Sequence, residues 1–520
     1  MTISKKAVGR WVAVVLVGPV ALTMVACTNL NENPESFITP NNFYSNEAEV
    51  LSGLAGVYAQ LRAVVNNNWW SVAEITTDEI VVPTRGTDWY DGGQWLDLFR
   101  QTFTGNSAAT LNLMNGVWTD IYTGITRANG LLEAMDSVSV PNQAELVAEA
   151  RTLRAFYYYL LMDFWGRVPL ATSSALKARP QVSRDSLFNF IASELTQAES
   201  DLPAQPVDYG RVSKGVADAI LANMYLNAAV FTQDDPTQLD GHYNSCMSVQ
   251  IGSETACQAA VDAADRVLNS GVYSLAANFE DNFSPTNYNS PENIFVANFT
   301  DVSGLGLNFV MRTLHYNQFT PAPWNGFATL ASTYDAFDPA DARRQDIFLI
   351  GPQDNVLTGQ PVTDRQGNPL VFTETINDIT SATEGEGVRY NKWPADPNHV
   401  NQDNGNDYAF FRLGEIYLIK AEALNEITPG DPTALQLVNV LRQRDFNPAK
   451  PLASIDRTAI MNERLFELTF EAKRRQDLIR FGKFTQAWEF KPATDAHVIL
   501  LPIPQPQLDA NPLLTQNPGY

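Results

Sequence analysis

The stretch AELVAEARTLRAFYYYLLMDFWGRVPL, residues 144–170, decides the fold class. Leu146, Ala150, Leu153, Tyr157, Leu160 and Phe164 recur at alternating steps of four and three. That spacing puts them on one face of an α-helix. Gly166 and Pro169 mark where the helix stops.

The same period extends on both sides, from Leu111 to Phe231. Upstream, Trp118, Ile121, Tyr122, Ile125 and Ala128 share a face. Downstream, Leu187, Ile191, Leu195, Ala198 and Leu202 form a third helix that ends at Pro203. Ser213 is the expected N-cap of a fourth, which carries Val216, Ile220, Met224 and Tyr225. A helix is also expected near 47–61, followed by an irregular, aromatic stretch to 106. From 232 to about 405 the period is lost among Asn, Asp, Pro, Gly and Thr, which reads as long loops with short strands and a few helices. It returns at Leu413, Ile416, Tyr417, Ala421 and Leu424, then at Ala434, Leu437, Val438 and Leu441, and again at Met461, Leu465, Leu468 and Ala472. Successive helices with apolar faces and short turns follow the logic of a helical-hairpin solenoid. No clean repeat of tetratricopeptide (TPR) length is visible. The chain reads as mostly α: a degenerate TPR-like scaffold carrying a large loop-rich face, in one body.

Composition narrows the function. The 520 residues hold 35 Lys+Arg against 58 Asp+Glu, a net charge of −23. Nucleic-acid binding needs clustered cations, so no nucleic acid is expected. Adhesion to anionic lipid through surface charge is excluded on the same ground. Hydrophobic residues make up 45%, enough for a sizeable core.

The N-terminus carries an address. Lys5, Lys6 and Arg10 precede the apolar run 11–20, and Leu22-Thr23-Met24-Val25-Ala26 leads to Cys27. Small residues before a cleavage point indicate a signal peptide, residues 1–26, rather than a membrane span. The Cys at that point is similar to a bacterial lipobox, with Met24 where Leu is usual. Lipidation at Cys27 would anchor the chain, and removal of 1–26 takes three cations and no acid, leaving −26. Cys246 and Cys257 remain. In an exported protein they either pair or stay as two thiols, with pairing the preferred reading.

Four stretches carry a family resemblance: NNFY (41–44) with GLAGVYAQL (53–61); AEARTLRAFY (148–157) running to WGRVPL (165–170); RLGEIYLI (412–419) with AEA (421–423); and ERLFE (463–467) through FEAKR (470–474) to DL (477–478). The chain closes on LPIPQ (501–505) and QNPGY (516–520). Together these resemble the SusD/RagB family of outer-membrane nutrient-binding lipoproteins. One departure is Ala472, where the family usually has Gly. The resemblance implies four TPR-like helix pairs under a loop-rich face, in a lipoprotein that caps a TonB-dependent (SusC-like) barrel and captures glycans or other nutrients for import. It implies no cofactor. The regions expected are 27–231, an N-terminal SusD-like part; 232–405, the ligand face; and 406–520, a C-terminal helical part.

Ligand residues are sought among the aromatics. Six of the ten tryptophans lie in irregular segments: Trp69, Trp70, Trp89, Trp95, Trp324 and Trp393. An aromatic face buries the C–H face of a sugar ring, while amides, acids or Arg bond its hydroxyls. The segment from Asp78 to Arg100 combines these types. Trp89, Tyr90 and Trp95 are the expected platforms, with Asp78 and Arg85 as hydroxyl partners. Tyr316, Trp324 and Asn325 could face them. The alternative for each aromatic is packing of a loop onto the scaffold.

Other motifs carry less. Glu463, Glu467, Glu471, Arg474, Arg475, Asp477 and Arg480 are expected to form an intrahelical salt-bridge network, with Glu471–Arg475 as an i,i+4 pair. The loop 401–407 has oxygen ligands for Ca²⁺ but lacks the Gly and Glu of an EF-hand, so a polar turn is expected and no metal. The four histidines are scattered, and no nucleophile elbow or P-loop appears. The expected function is nutrient binding, with no catalytic residue. The alternatives are a surface glycoside hydrolase, since carboxylate pairs cannot be placed from sequence, and an assembly scaffold without a small ligand.

Overall fold

Helix starts are set by short polar side chains. Asn46 accepts a hydrogen bond from the Glu49 N–H (3.1 Å) and opens helix α1, Glu47–Asn66. In the computed structural model, which describes residues 44–520, the main elements that follow are α2 (Trp69–Ile75), α3 (Gln94–Arg100), α4 (Ala108–Met135), α5 (Gln143–Trp165), α6 (Arg184–Glu199), α7 (Lys214–Leu226) and α8 (Ala256–Leu268). After a long interval come α9 (Leu413–Ile427), α10 (Pro432–Asp445), α11 (Arg457–Leu468) and α12 (Arg474–Arg480). The expected signal peptide, Cys27 and residues 41–43 of the first motif lie outside the described residues. Residues 44–520 form one compact unit.

Ser183, Thr255, Asp431 and Asp456 cap α6, α8, α10 and α11 through their side chains. Ser213 is the N-cap residue of α7, as expected, but its side chain makes no cap bond. Its hydroxyl lies 3.0 Å from the Tyr273 hydroxyl instead, because α7 begins against that ring.

The helices pack in order: α4 on α5, α5 on α6, α6 on α7, α7 on α8, α8 on α9, and α9 on both α10 and α11. Read as hairpins, these are α4/α5, α6/α7, α8/α9 and α10/α11, four pairs of TPR type. The stretch 144–170 lies at the centre. From Ala148 to Trp165 almost every side chain of α5 is buried, because α4 and α6 cover it from two sides. The approach of α4 is close enough to require glycine: a Cβ on Gly124 would sit 2.5 Å from the Tyr157 ring.

The third pair differs. Its helices are separated by residues 269–412, the loop-rich segment. That segment leaves and re-enters the scaffold on two antiparallel strands, β1 (Asn293–Ala297) and β2 (Tyr408–Arg412), with Val296 opposite Ala409 and Ala297 opposite Tyr408. Strand β2 runs straight into α9. The region taken as loop-rich from 232 also contains α8, which belongs to the scaffold. Cys246 and Cys257 are joined by a disulfide beside the start of α8.

The charge row near the C-terminus is not one helix. The chain breaks between α11 and α12, where Phe470 (φ 68°) and Ala472 (φ 58°) adopt left-handed backbone. The expected Glu471–Arg475 pair therefore does not form. Glu471 binds Lys392 (2.5 Å) and Arg412 (2.7 Å), Arg475 binds Asp163 (3.1 Å), and Arg412 also binds Glu292 and Glu467. All these groups are buried. The network ties elements together across the core rather than stiffening one helix.

A tryptophan-lined cleft as the candidate ligand site

The loop 85–95 begins with a tight turn. Arg85 and Asp88 exchange both backbone hydrogen bonds, with Gly86 at φ 66° between them. Trp89 follows at φ 62° and Asp91 at φ 39°, then Gly92 and Gly93 also at positive φ. Left-handed backbone at a tryptophan is costly and must be held by its surroundings. The holder is the segment 324–327. The Trp89 indole N–H donates to the Trp324 carbonyl (2.6 Å), and the ring lies on Gly326, where a Cβ would come within 2.2 Å of it. Trp95, in the first turn of α3, donates its indole N–H to Asp91 (2.7 Å).

The rings gather as a result. Trp89 meets Trp95 at 5.3 Å, Phe327 at 5.5 Å and Trp324 at 6.5 Å between centroids, all tilted or edge-on. These four aromatics form one wall of a cleft of about 590 Å³. The two expected groups thus stand side by side on one wall instead of facing each other. Trp324 is 37% exposed, and Trp89 is half-buried.

The rest of the lining includes scaffold residues. Asn66, Asn67 and Asn68 link α1 to α2, and Asn115, Gly116, Thr119 and Asp120 lie on α4. Asn67 donates its amide to Asp120 (2.8 Å). Burial raises the Asp120 carboxyl above the usual range, and this bond partly offsets the shift. Arg312 lies beneath. It donates to Ser71 Oγ (2.7 Å) and the Asn66 carbonyl, with its guanidinium 5.5 Å from the Trp70 ring. Asp120 is the one carboxylate among the residues lining the cleft.

The structure gives other jobs to the two residues expected to bond ligand hydroxyls, Asp78 and Arg85, and to Asn325 of the second group. Asp78 forms a two-point ion pair with Arg474 of α12 (2.6 and 2.7 Å). Arg85 is buried, donates to the carbonyls of Thr383 and Glu386, and is pushed down to about 10 by that burial. Asn325 is fully buried between the Glu384 carbonyl and Arg389. All three hold the loops that carry the tryptophans. Tyr316 donates to Asp88 (2.5 Å) under the Arg365 guanidinium. Its phenol is pushed up to about 12, first by burial and then by Asp88. Glu384 accepts from His315 and Arg365, which together overcome burial and hold its carboxyl down at about 2. Tyr90 is 61% exposed on the turn, outside the cleft lining. Trp69, Trp70 and Trp393 are buried in the core, where Trp70 donates to the Phe470 carbonyl.

In the loop 401–407, Asp403 accepts from the N–H groups of Gly304 and Gly306, and Asp407 from Phe299 N–H and the Tyr209 hydroxyl. Its carboxylates tie the loop to the segment 299–306 and to Tyr209.

Sequence reasoning did not find the amide and hydroxyl wall. The run Asn66-Asn67-Asn68 was its only local signal. Asp120 and Thr119 carry no signal of their own beyond being polar residues in a helical stretch.

Comparison with known proteins agrees with this architecture. Residues 278–492 match the model of the SusD family, and residues 30–226 match a second described as "Starch-binding associating with outer membrane". The SusD-like protein P2 of Formosa agariphila is 25% identical, over 96% of this chain and 98% of its own. The starch-binding protein SusD of Bacteroides thetaiotaomicron is 24% identical over 76% of each chain. Among solved structures, a laminarin-binding SusD-like protein superposes with a TM-score of 0.73 at 23% identity, over 92% of this chain and all of that one. A SusD-like protein from Bacteroides fragilis gives a TM-score of 0.74 at 19% identity, over 93% and 100%. With the four helix pairs, the interrupted third pair and matches covering both halves of the sequence, the chain belongs to the SusD family.

Proposed function

We propose that this protein binds glycans at the outer membrane, on its tryptophan-lined cleft, and hands them to a TonB-dependent barrel that it caps while anchored through lipidated Cys27. The cleft carries the proposal. Exposed Trp324 and half-buried Trp89, packed on the buried rings of Trp95 and Phe327, share the cleft with Asn and Thr side chains, the pairing that a ring with an apolar face and polar edges requires. Trp89 and Trp324 serve as platforms, with Trp95 packed against Trp89. Asn67, Asn115, Thr119 and Asp120 bond hydroxyls. Asp78, Arg85 and Asn325 hold the platforms in place. The names of several relatives, starch-binding and laminarin-binding among them, support a glycan ligand.

Binding without turnover fits the carboxylates. Glycoside hydrolysis ordinarily needs two flanking the scissile bond, and the cleft lining holds one. A glycan array followed by titration calorimetry with the full-length protein in detergent tests the reading. Affinity for at least one neutral oligosaccharide is expected, with a loss of about tenfold or more in Trp89→Ala. Absence of any glycan binding, or binding untouched by this substitution, refutes the site. Isolation from outer membranes without a barrel refutes the capping role.

A further inference from the structure

The cleft has a neighbour of opposite character. On the other side of Thr119 lies a groove of about 670 Å³, formed by α4, the loop 169–179 and residues 507–514. Thr119 lines both. A hydrogen bond joins them at a second point: Gln507 of the groove donates to Asn115 of the cleft (2.9 Å).

The charges differ sharply. In a chain of net charge −23, the groove is lined by Arg127, Lys177 and Arg179 and by no acid. None of the three makes an ion pair among the described residues. Arg127 donates to the Gly56 carbonyl (3.0 Å), and Arg179 to the Ala175 carbonyl (3.1 Å) and Ser173 Oγ (2.8 Å). The carboxylate packed behind this loop, Glu133, is engaged by the Ser174 N–H and hydroxyl. The floor is Trp118 and Tyr122, with centroids 5.1 Å apart, and the Tyr122 hydroxyl is fixed on the Pro169 carbonyl. Leu176 stands 98% exposed at the rim.

We propose that this groove is a second subsite, which takes a carboxylate- or sulfate-bearing sugar of a glycan whose neutral rings lie in the tryptophan-lined cleft. The inference rests on the glycan-binding reading. Asp120 in the cleft repels an anion there, and the cations attract one two helix turns away, about 10 Å along α4. Hydroxyls and amides of Ser173, Gln507 and Asn511 suit a sugar's remaining polar edge. Arginine presents a planar fork that matches a carboxylate or sulfate. The opposite charges on the two sides of Thr119 fix the ligand's direction as well as its class.

The test uses the full-length protein and three oligosaccharides of equal length: neutral, bearing one terminal uronate, and bearing one terminal sulfate ester. Wild type is expected to bind at least one acidic form about tenfold more tightly than the neutral one, with the advantage falling as salt rises. Arg127→Glu/Lys177→Glu should abolish the advantage and leave neutral binding unchanged, which also reports that the fold is intact. Lys177→Arg should retain it. The two acidic ligands distinguish uronate from sulfate. Failure of wild type to bind any saccharide overturns the functional reading itself. Equal binding of neutral and acidic forms, or an advantage that survives the double substitution, overturns the second subsite alone. So does a double variant that loses its co-purifying barrel and keeps the acidic preference, which would assign the groove to an acidic protein segment.

Discussion

The loop 85–95 and the turn 469–473 share a backbone problem and use it in opposite ways. Each places two non-glycine residues in the left-handed region, Trp89 and Asp91 in one, Phe470 and Ala472 in the other. In the turn, buried carboxylates supply the restraint. Glu79 accepts the Phe470 N–H (2.8 Å) and Glu74 the Ala472 N–H, while Glu471 is tied to Lys392 and Arg412. In the loop, the Trp89 indole–carbonyl bond, the Trp95–Asp91 bond and packing on Gly326 hold the backbone, with Trp89 half-buried and Trp324 exposed at the cleft. The turn buries both of its strained residues in the core, whereas the loop brings half-buried Trp89 beside exposed Trp324 at the cleft.

That contrast breaks or sharpens under substitution. Arg412→Met should have the largest effect, because it takes the shared cation from Glu292, Glu467 and Glu471 in the core and leaves them to Arg343, Arg444 and Lys392. A loss of about 3–5 kcal/mol in denaturant unfolding is expected, and a near-neutral result would show that the network can be dismantled cheaply. Next is Glu74→Gln. Burial, chiefly, raises the Glu74 carboxyl to about 7, and burial with Glu74 alongside raises Glu79 further. A carboxyl raised on folding contributes stability below its unfolded pKa that is lost as pH rises through the folded value. Wild-type stability should therefore fall from pH 5 to 8, and Glu74→Gln should regain on the order of 1–3 kcal/mol at pH 8. An unchanged pH profile would exclude Glu74 as its source. Gly326→Ala should displace the Trp89 ring and weaken glycan binding by about 1–2 kcal/mol, with the melting temperature nearly kept. Trp324→Ala should be smallest in stability, within about 0.5 kcal/mol. A large drop in its melting temperature would make Trp324 a packing residue and erase the distinction drawn above.

The helical scaffold was legible because its signal is local. The four-and-three spacing of 146–164 and its neighbours survives as α4 to α7, and the returning period after 413 as α9 to α11. The third hairpin was not legible, since α8 finds α9 across the whole loop-rich segment. The break before α12 was hidden by Phe470 and Ala472, which lack the glycine that would announce positive φ. In the site, aromatic type pointed to Trp89 and Trp324 but also to the buried Trp95, Trp69, Trp70 and Trp393, because composition does not report burial. Asp78 and Arg85 looked like hydroxyl partners because their true partners, Arg474 and the carbonyls of Thr383 and Glu386, lie hundreds of residues away.

The split third hairpin also sets an order of events as the chain folds. Closing α4 on α5 spans about seven residues (136–142), while closing α8 on α9 spans about 140 (269–412), an extra entropic barrier of about 2.7 kcal/mol. Pairs one, two and four can nucleate locally, and the third closes last, when β1 meets β2. The slow, non-local step is thus the one that seats the ligand face on the scaffold, so the binding wall and the completed core arrive in the same kinetic phase.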